Sequence, residues 1–303
     1  MNSRRNFLKC SLAAGATSML ANHVILADHH KGSGFKISLA EWSLHKMLFK
    51  GDLKNIDFPA YTKEKCGIDA VEYVNQFFID KATSDKYHKE LKKRCDDHGV
   101  NSVLIMCDGL GKLGDPDPVR RHTSVLKHVP WLVAARALGC HAIRVNASSS
   151  GSREEQEKLA ADGLGSLATL AKPYEMNVIV ENHGGLSSDG SWLAAVIGRV
   201  DMSNCGTLPD FGNFKVSKDV MYDRYKGVTE LMPFAKAVSA KSHDFDADGN
   251  ETATDYAKMM KIVLDAGYNS YVGIEYEGSK LGEHDGIIAT KKLLEKVRAG
   301  GEA

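Results

Sequence analysis

Four times in this chain a glycine stands between a helix-like segment and a strand-like run: Cys66-Gly67-Ile68, His98-Gly99-Val100, Leu138-Gly139-Cys140 and Ala266-Gly267-Tyr268. Glycine at such a joint supplies the left-handed cap from which a helix turns back into a sheet. Strand-like runs cover 36–42, 70–75, 101–107, 142–147, 177–181, 206–210, 238–243 and 271–275, the fifth of them β-branched. They recur about every thirty to forty residues, the length of a βα unit with its return loop. Amphipathic segments lie between them. Tyr87, Leu91 and Cys95 share one helix face, and Ile287, Leu294 and Val297 share another. Leu159, Leu164, Leu167 and Leu170 mark a third, opened by Ser152 and Glu155 as a capping box. Eight such units predict an α/β chain folded as a single (β/α)8 TIM barrel over residues 35–303. A doubly wound open sheet is the alternative, but no Gly-rich phosphate fingerprint follows the first strand.

The first residues stand apart from this pattern. Ser3-Arg4-Arg5-Asn6-Phe7-Leu8-Lys9 precedes a mildly apolar, Ala-containing run, which reads as a twin-arginine export signal over residues 1–27. Residues 28–34 read as a linker. The expected partner of the signal is the twin-arginine export machinery, and the expected destination is the periplasm. Of the six cysteines, Cys10 lies in this signal. The remaining five are odd in number and form no Cys-x-x-Cys, so they read as buried free thiols. Formal net charge is zero and the pI about 7.2, giving no electrostatic footprint for nucleic acid. No apolar run is long enough for stable membrane insertion.

The ends of the last four predicted strands carry the chemistry. Glu181, Asp210, His243 and Glu275 each close one of them, at what should be the carboxyl face of the barrel. A charged side chain at the tip of an apolar strand is costly unless compensated. Three carboxylates and an imidazole together form a ligand set for one divalent ion, Mn²⁺ foremost, with Mg²⁺, Co²⁺ and Zn²⁺ as alternatives. Glu277 shares the face of Glu275; Glu275 is preferred because it directly follows the apolar run.

The order Glu, Asp, His, Glu on strands five to eight, with Glu-Asn-His-Gly-Gly at 181–185 and Lys-Ser-His-Asp-Phe-Asp at 241–246, resembles the xylose isomerase-like barrels. This group of sugar phosphate isomerases and epimerases includes ketose 3-epimerases and inosose dehydratase. The resemblance covers essentially everything after the export signal. It implies that Glu181 and Glu275 both bind the metal and shuttle the proton, acting on a carbohydrate through a metal-stabilised enediolate. Many members carry a histidine three residues after the strand-six aspartate; Asn213 stands there in this chain, which can hydrogen-bond a hydroxyl but cannot donate a proton as an acid near neutral pH.

Other candidates flank this set. Lys241 should face the barrel interior as an acid, a base or a holder of a substrate oxygen, the alternative being a buried ion pair. His183, Glu41, Trp42, Asn213 and Arg144 are candidate substrate contacts, although for Arg144 a structural salt bridge is the stronger expectation. Asp244, Asp246 and Asp248 lack the later bidentate glutamate of a calcium loop and read as a solvated turn. A metal-dependent isomerase or epimerase accounts for this pattern, and a lyase or dehydratase acting on a keto-sugar or keto-glycoside accounts for it equally. An abasic-site endonuclease would need more ligating histidines and a basic groove. A non-catalytic carbohydrate-binding protein would not need two glutamates on one metal.

Overall fold

A computed structural model describes residues 34–300. The export signal, most of the proposed linker and Cys10 lie outside these residues. Eight parallel strands form one sheet: β1 (Lys36–Ala40), β2 (Ala70–Val74), β3 (Asn101–Met106), β4 (Ala142–Val145), β5 (Asn177–Glu181), β6 (Cys205–Leu208), β7 (Val238–Ser242) and β8 (Tyr271–Tyr276). β1 to β6 pair each with the next, β7 pairs with β8, and β8 pairs with β1. The seam between β6 and β7 is closed by main-chain bonds just past the end of β6. Ser239 N donates to the Pro209 carbonyl at 2.9 Å and Phe211 N to the Ser239 carbonyl at 3.1 Å. Proline has no N–H to contribute, so at that position the pairing runs only through its oxygen. The expected barrel is the fold observed.

Among the described residues a helix of eight or more residues follows each strand: α1 (Phe58–Cys66), α2 (Asp85–His98), α3 (Pro118–Leu138), α4 (Arg153–Ala171), α5 (Gly190–Val200), α6 (Arg224–Leu231), α7 (Tyr256–Asp265) and α8 (Glu283–Gly300). Gly67 and Gly139 cap α1 and α3 at φ 61° and 82°, where a side chain would strain the backbone. The capping box at Ser152 and Glu155 opens α4. The buried stripe of α4 includes Ala160, Leu164, Leu167, Ala168 and Ala171. Leu159 is only half-buried and Leu170 is exposed, so small residues rather than four leucines let this helix approach the sheet. The five cysteines are buried and free.

Strand alternation sorts side chains into two layers. Val178 and Val180 on β5, Val238 and Ala240 on β7, and Val272, Ile274 and Tyr276 on β8 pack outward in the layer shared with the helices. Ala40, Ala70, Val74, Met106, Ala142, Ile179 and Leu208 fill the barrel interior. A buried polar set from several strands lies on that interior face, above this apolar plug. No helix among the described residues is long and apolar enough to cross a membrane.

Candidate metal and acid-base centre

Glu181, Asp210 and Glu275 converge: each offers one carboxylate oxygen, and these oxygens lie within 4.8 Å of one another. Glu181 and Asp210 are fully buried and Glu275 is 4% exposed. The chain delivers them from three places. Glu181 is the last residue of β5 and Glu275 the fifth of the six in β8. Asp210 lies two residues past β6, in the segment that closes the barrel. There its Oδ1 accepts from the backbone N–H groups of Gly212 and Asn213 at 2.8 and 2.7 Å. Asn182 locks that loop, accepting from Asp210 N at 2.7 Å and donating to the Asp210 and Asn213 carbonyls.

Two buried cations border the carboxylates. Lys241, 3% exposed, places Nζ 3.2 Å from Glu275 Oε1 and 3.5 Å from Glu277 Oε1, and donates to Asn213 Oδ1 at 3.3 Å. Arg144, 4% exposed, donates through both terminal nitrogens to Asp108, at 2.7 and 3.3 Å. Its Nε stands 2.9 Å from Glu181 Oε2 without the alignment of a hydrogen bond, leaving that buried oxygen with no hydrogen-bond donor. Glu181 Oε1 accepts from Asn213 Nδ2 at 2.9 Å.

The electrostatics report an excess of negative charge. Burial pushes the Glu181 carboxyl up to about 7; Arg144 opposes the shift and Glu275 adds to it. Burial likewise pushes Asp210 to about 7, Lys241 opposing it, with Glu181 and Glu275 adding to it. For Glu275 burial also favours the neutral form, but Lys241 and Arg144 more than offset this and hold it below the ordinary value. Burial disfavours the Lys241 charge, yet Glu275, Asp210 and Glu181 hold its ammonium well above the ordinary range. Two cations, one of them shared with Asp108, do not balance three clustered carboxylates in a dry site. A clustered acidic set short of positive charge is what a further divalent cation would satisfy. By donor type and spacing, the residues present fit such an ion.

Not every expected residue joins this centre. β7 ends at Ser242, and His243 is exposed on the following loop, its backbone N–H turned to Glu251 Oε1 at 3.3 Å. The expectation that its imidazole completes the ligand set is corrected by this turn of the chain. On β7 it is Ser239 that meets the carboxylates. Its Oγ donates to Asp210 Oδ2 at 2.7 Å and lies 3.1 Å from Glu275 Oε2. Glu41 is also corrected: the chain leaves β1 at Ala40, and the Glu41 carboxylate accepts from Asn55 Nδ2 at 2.7 Å and Val74 N at 2.9 Å. With both oxygens bound inside the protein, it is a structural group. Arg144 is engaged with Asp108 and Glu181, the ion pair that was the stronger expectation for it.

Trp42 stands at the mouth, its Nε1 donating to Glu277 Oε1 at 2.5 Å and its ring stacked on His45 at 4.9 Å. Phe77 and the exposed Phe49 extend this aromatic wall. His183 is exposed at the rim, where the surrounding protein and the Arg144 guanidinium hold its imidazole below the ordinary value. The solvated turn at 244–248 is as expected, with Asp246 Oδ1 accepting from the backbone of Asp248 and Asn250. The sequence reading missed Ser239, Asp108 and Glu72. Glu72 is fully buried within β2, taking a bond from Ser38 Oγ at 2.6 Å. A carboxylate inside the apolar run Ala-Val-Glu-Tyr-Val was the available signal for it.

The family model described as the xylose isomerase-like TIM barrel matches residues 60–297, and the chain belongs to this family. A twin-arginine translocation signal matches residues 1–21, so the chain carries an export signal for that pathway. Among solved structures, the IOLI protein with a bound zinc atom is similar at a TM-score of 0.68 and 16% identity. The alignment covers 88% of this chain and 99% of that one. The 3-keto-D-glucoside 4-epimerase YcjR of E. coli aligns at 0.63 and 15% identity, covering 86% of this chain and 99% of that one. At these identities the likeness shows the fold. In sequence, the C-glycoside deglycosidase alpha subunit of Arthrobacter globiformis is 38% identical over 72 residues, covering 23% of this chain and 20% of that relative's length.

Proposed function

We propose that this protein is an exported, divalent-metal-dependent carbohydrate isomerase or epimerase that removes a proton from a carbon next to a carbonyl. The observation that carries this reading is the convergence of Glu181, Asp210 and Glu275 on one buried point. Held by these three, a divalent cation supplies positive charge that offsets the negative charge developing on substrate oxygen as the proton leaves. Glu181 and Glu275 are the proton-transfer residues. One takes the proton from the substrate carbon and the other returns one to the opposite face, which inverts the centre. Asn213 orients Glu181 through its amide, and Lys241 keeps Glu275 ionised and able to accept. Trp42 and His183 line the way in and contact the sugar.

A second reading has a specific observation behind it. Lys241 is a charged acid within 3.2 Å of Glu275, placed to protonate a departing oxygen as a neighbouring carboxylate removes the carbon-bound proton. That is an elimination, making the protein a lyase or dehydratase on a keto-sugar or keto-glycoside. The similarity to a deglycosidase subunit supports this arm. The expected ion is Mn²⁺ and the expected compartment the periplasm.

The test is incubation of the metal-loaded protein with ketoses and keto-glycosides in deuterated water, followed by NMR. Deuterium entering beside the carbonyl with inversion supports the epimerase, and deuterium or proton loss accompanied by release of a hydroxyl or aglycone supports the lyase. Absence of either over the whole panel, with metal bound, removes the proposal.

A further inference from the structure

β7 presents two side chains to the carboxylates, Ser239 and Lys241, and no imidazole. Ser239 is held there firmly. Its own N–H and carbonyl form the seam with Pro209 and Phe211, which flank Asp210 on either side. Its hydroxyl, 1% exposed, bonds to Asp210 and lies within reach of Glu275, two of the three converging acids. Its lone pairs remain available, since a hydroxyl has one proton to give and two acceptor sites. The three acids themselves offer oxygens within 4.8 Å of one another beside this hydroxyl. The neutral and anionic ligand atoms brought to this point are oxygens, and the protein's own cations beside them are the Arg144 guanidinium and the Lys241 ammonium.

We propose that the centre is an all-oxygen cation site in which Ser239 occupies the strand-seven position, tuning the protein toward hard divalent ions. This rests on the reading that Glu181, Asp210 and Glu275 hold a divalent ion. Oxygen donors suit Mg²⁺ and Mn²⁺, whereas imidazole nitrogen adds affinity for Zn²⁺. Zinc's ordinary advantage over manganese at mixed sites should thus be narrow here, and residue 239 is the position that sets it.

The test is calorimetric titration of the metal-stripped full chain with MnCl₂ and with ZnCl₂, with Mn²⁺ electron paramagnetic resonance as a second readout. Wild type should bind one Mn²⁺, and Glu181→Gln should lose about a hundredfold or more in affinity. His243→Ala should leave both affinities within about twofold, because an exposed loop imidazole is no ligand. Ser239→His should shift the zinc-to-manganese affinity ratio toward zinc by about tenfold or more. Ser239→Ala, which adds no bulk, should weaken Mn²⁺ by about tenfold and serves if the histidine variant does not fold. A tenfold loss of either ion in His243→Ala overturns the inference while leaving the metal reading intact. So does an unchanged Mn²⁺ affinity in Ser239→Ala. Equal Mn²⁺ affinity in wild type and Glu181→Gln removes the metal reading itself, and this inference with it.

Discussion

Glu41 and Glu72, from the first two strands and the residue after them, and Glu181, Asp210 and Glu275, from the last four, are all buried carboxyl groups, yet they are treated differently. Burial pushes both Glu41 and Glu72 up to about 8, so each is neutral at pH 7. Their direct partners are neutral donors: Asn55 and a backbone N–H for Glu41, a serine hydroxyl for Glu72. The later three crowd within 4.8 Å of one another against two guanidinium or ammonium groups. Glu41, shifted by no charged neighbour, lowers its cost by taking up a proton, and Glu72 does the same with Glu275 and Glu181 adding to the push. A cluster held beside fixed positive charge stays partly ionised and can attract a further cation. Burial alone therefore does not mark a functional acid in this barrel; what marks one is which charges it meets there.

The largest effect should come from breaking the cluster. Glu181→Gln or Glu275→Gln should lower turnover about a thousandfold, measured as solvent deuterium incorporation with saturating metal. Lys241→Met tests the fixed charge. Turnover should drop about a hundredfold while divalent-ion affinity rises, because a competing ammonium has gone; a parallel loss of both would assign the lysine a merely structural place. Glu41→Gln tests the solitary class through stability. The folded protein keeps a proton on Glu41 up to about pH 8, whereas the unfolded chain releases it near 4.5. Folding stability from this group is thus complete below 4.5 and declines as pH rises toward 8, by about 1.4 kcal/mol per pH unit. Urea unfolding at pH 5 and pH 8 should show that decline reduced by one proton's worth in the glutamine variant. The smallest change is expected from Trp42→Phe, which removes only the bond to Glu277 at the mouth. KM should rise about fivefold with kcat nearly constant, as loss of about 1 kcal/mol of binding alone requires.

The barrel itself was legible because the alternation of strands, helices and capping glycines repeats along the whole chain. Glu181 and Glu275 were legible because each ends an apolar run. Asp210 was found by the same rule, although the regular strand stops at Leu208 and its place is fixed by the seam with β7. The rule failed at His243. It shares the parity of Ser239 and Lys241, but the chain turns after Ser242, and parity has no meaning once a strand has ended. Applied two residues earlier, the same parity that placed Lys241 would have found Ser239. Serine by itself is too ordinary a strand residue to signal chemistry. Glu41 failed for the opposite reason, since its carboxylate is consumed by a contact with Asn55 that depends on how a loop folds back. Asp108 escaped because its partner Arg144 lies 36 residues further on, and only the closed sheet brings them together.

Strand β7 separates two kinds of change. Ser242, on the side opposite Ser239 and Lys241, shares a 2.6 Å hydroxyl contact with Thr290 of α8, and Val238 and Ala240 pack beside it against the helices. Residues 239 and 241 can therefore be exchanged to alter ion choice or proton traffic while the neighbours that anchor the strand stay untouched. New chemistry can enter this scaffold one inward position at a time, leaving its architecture to the outward ones.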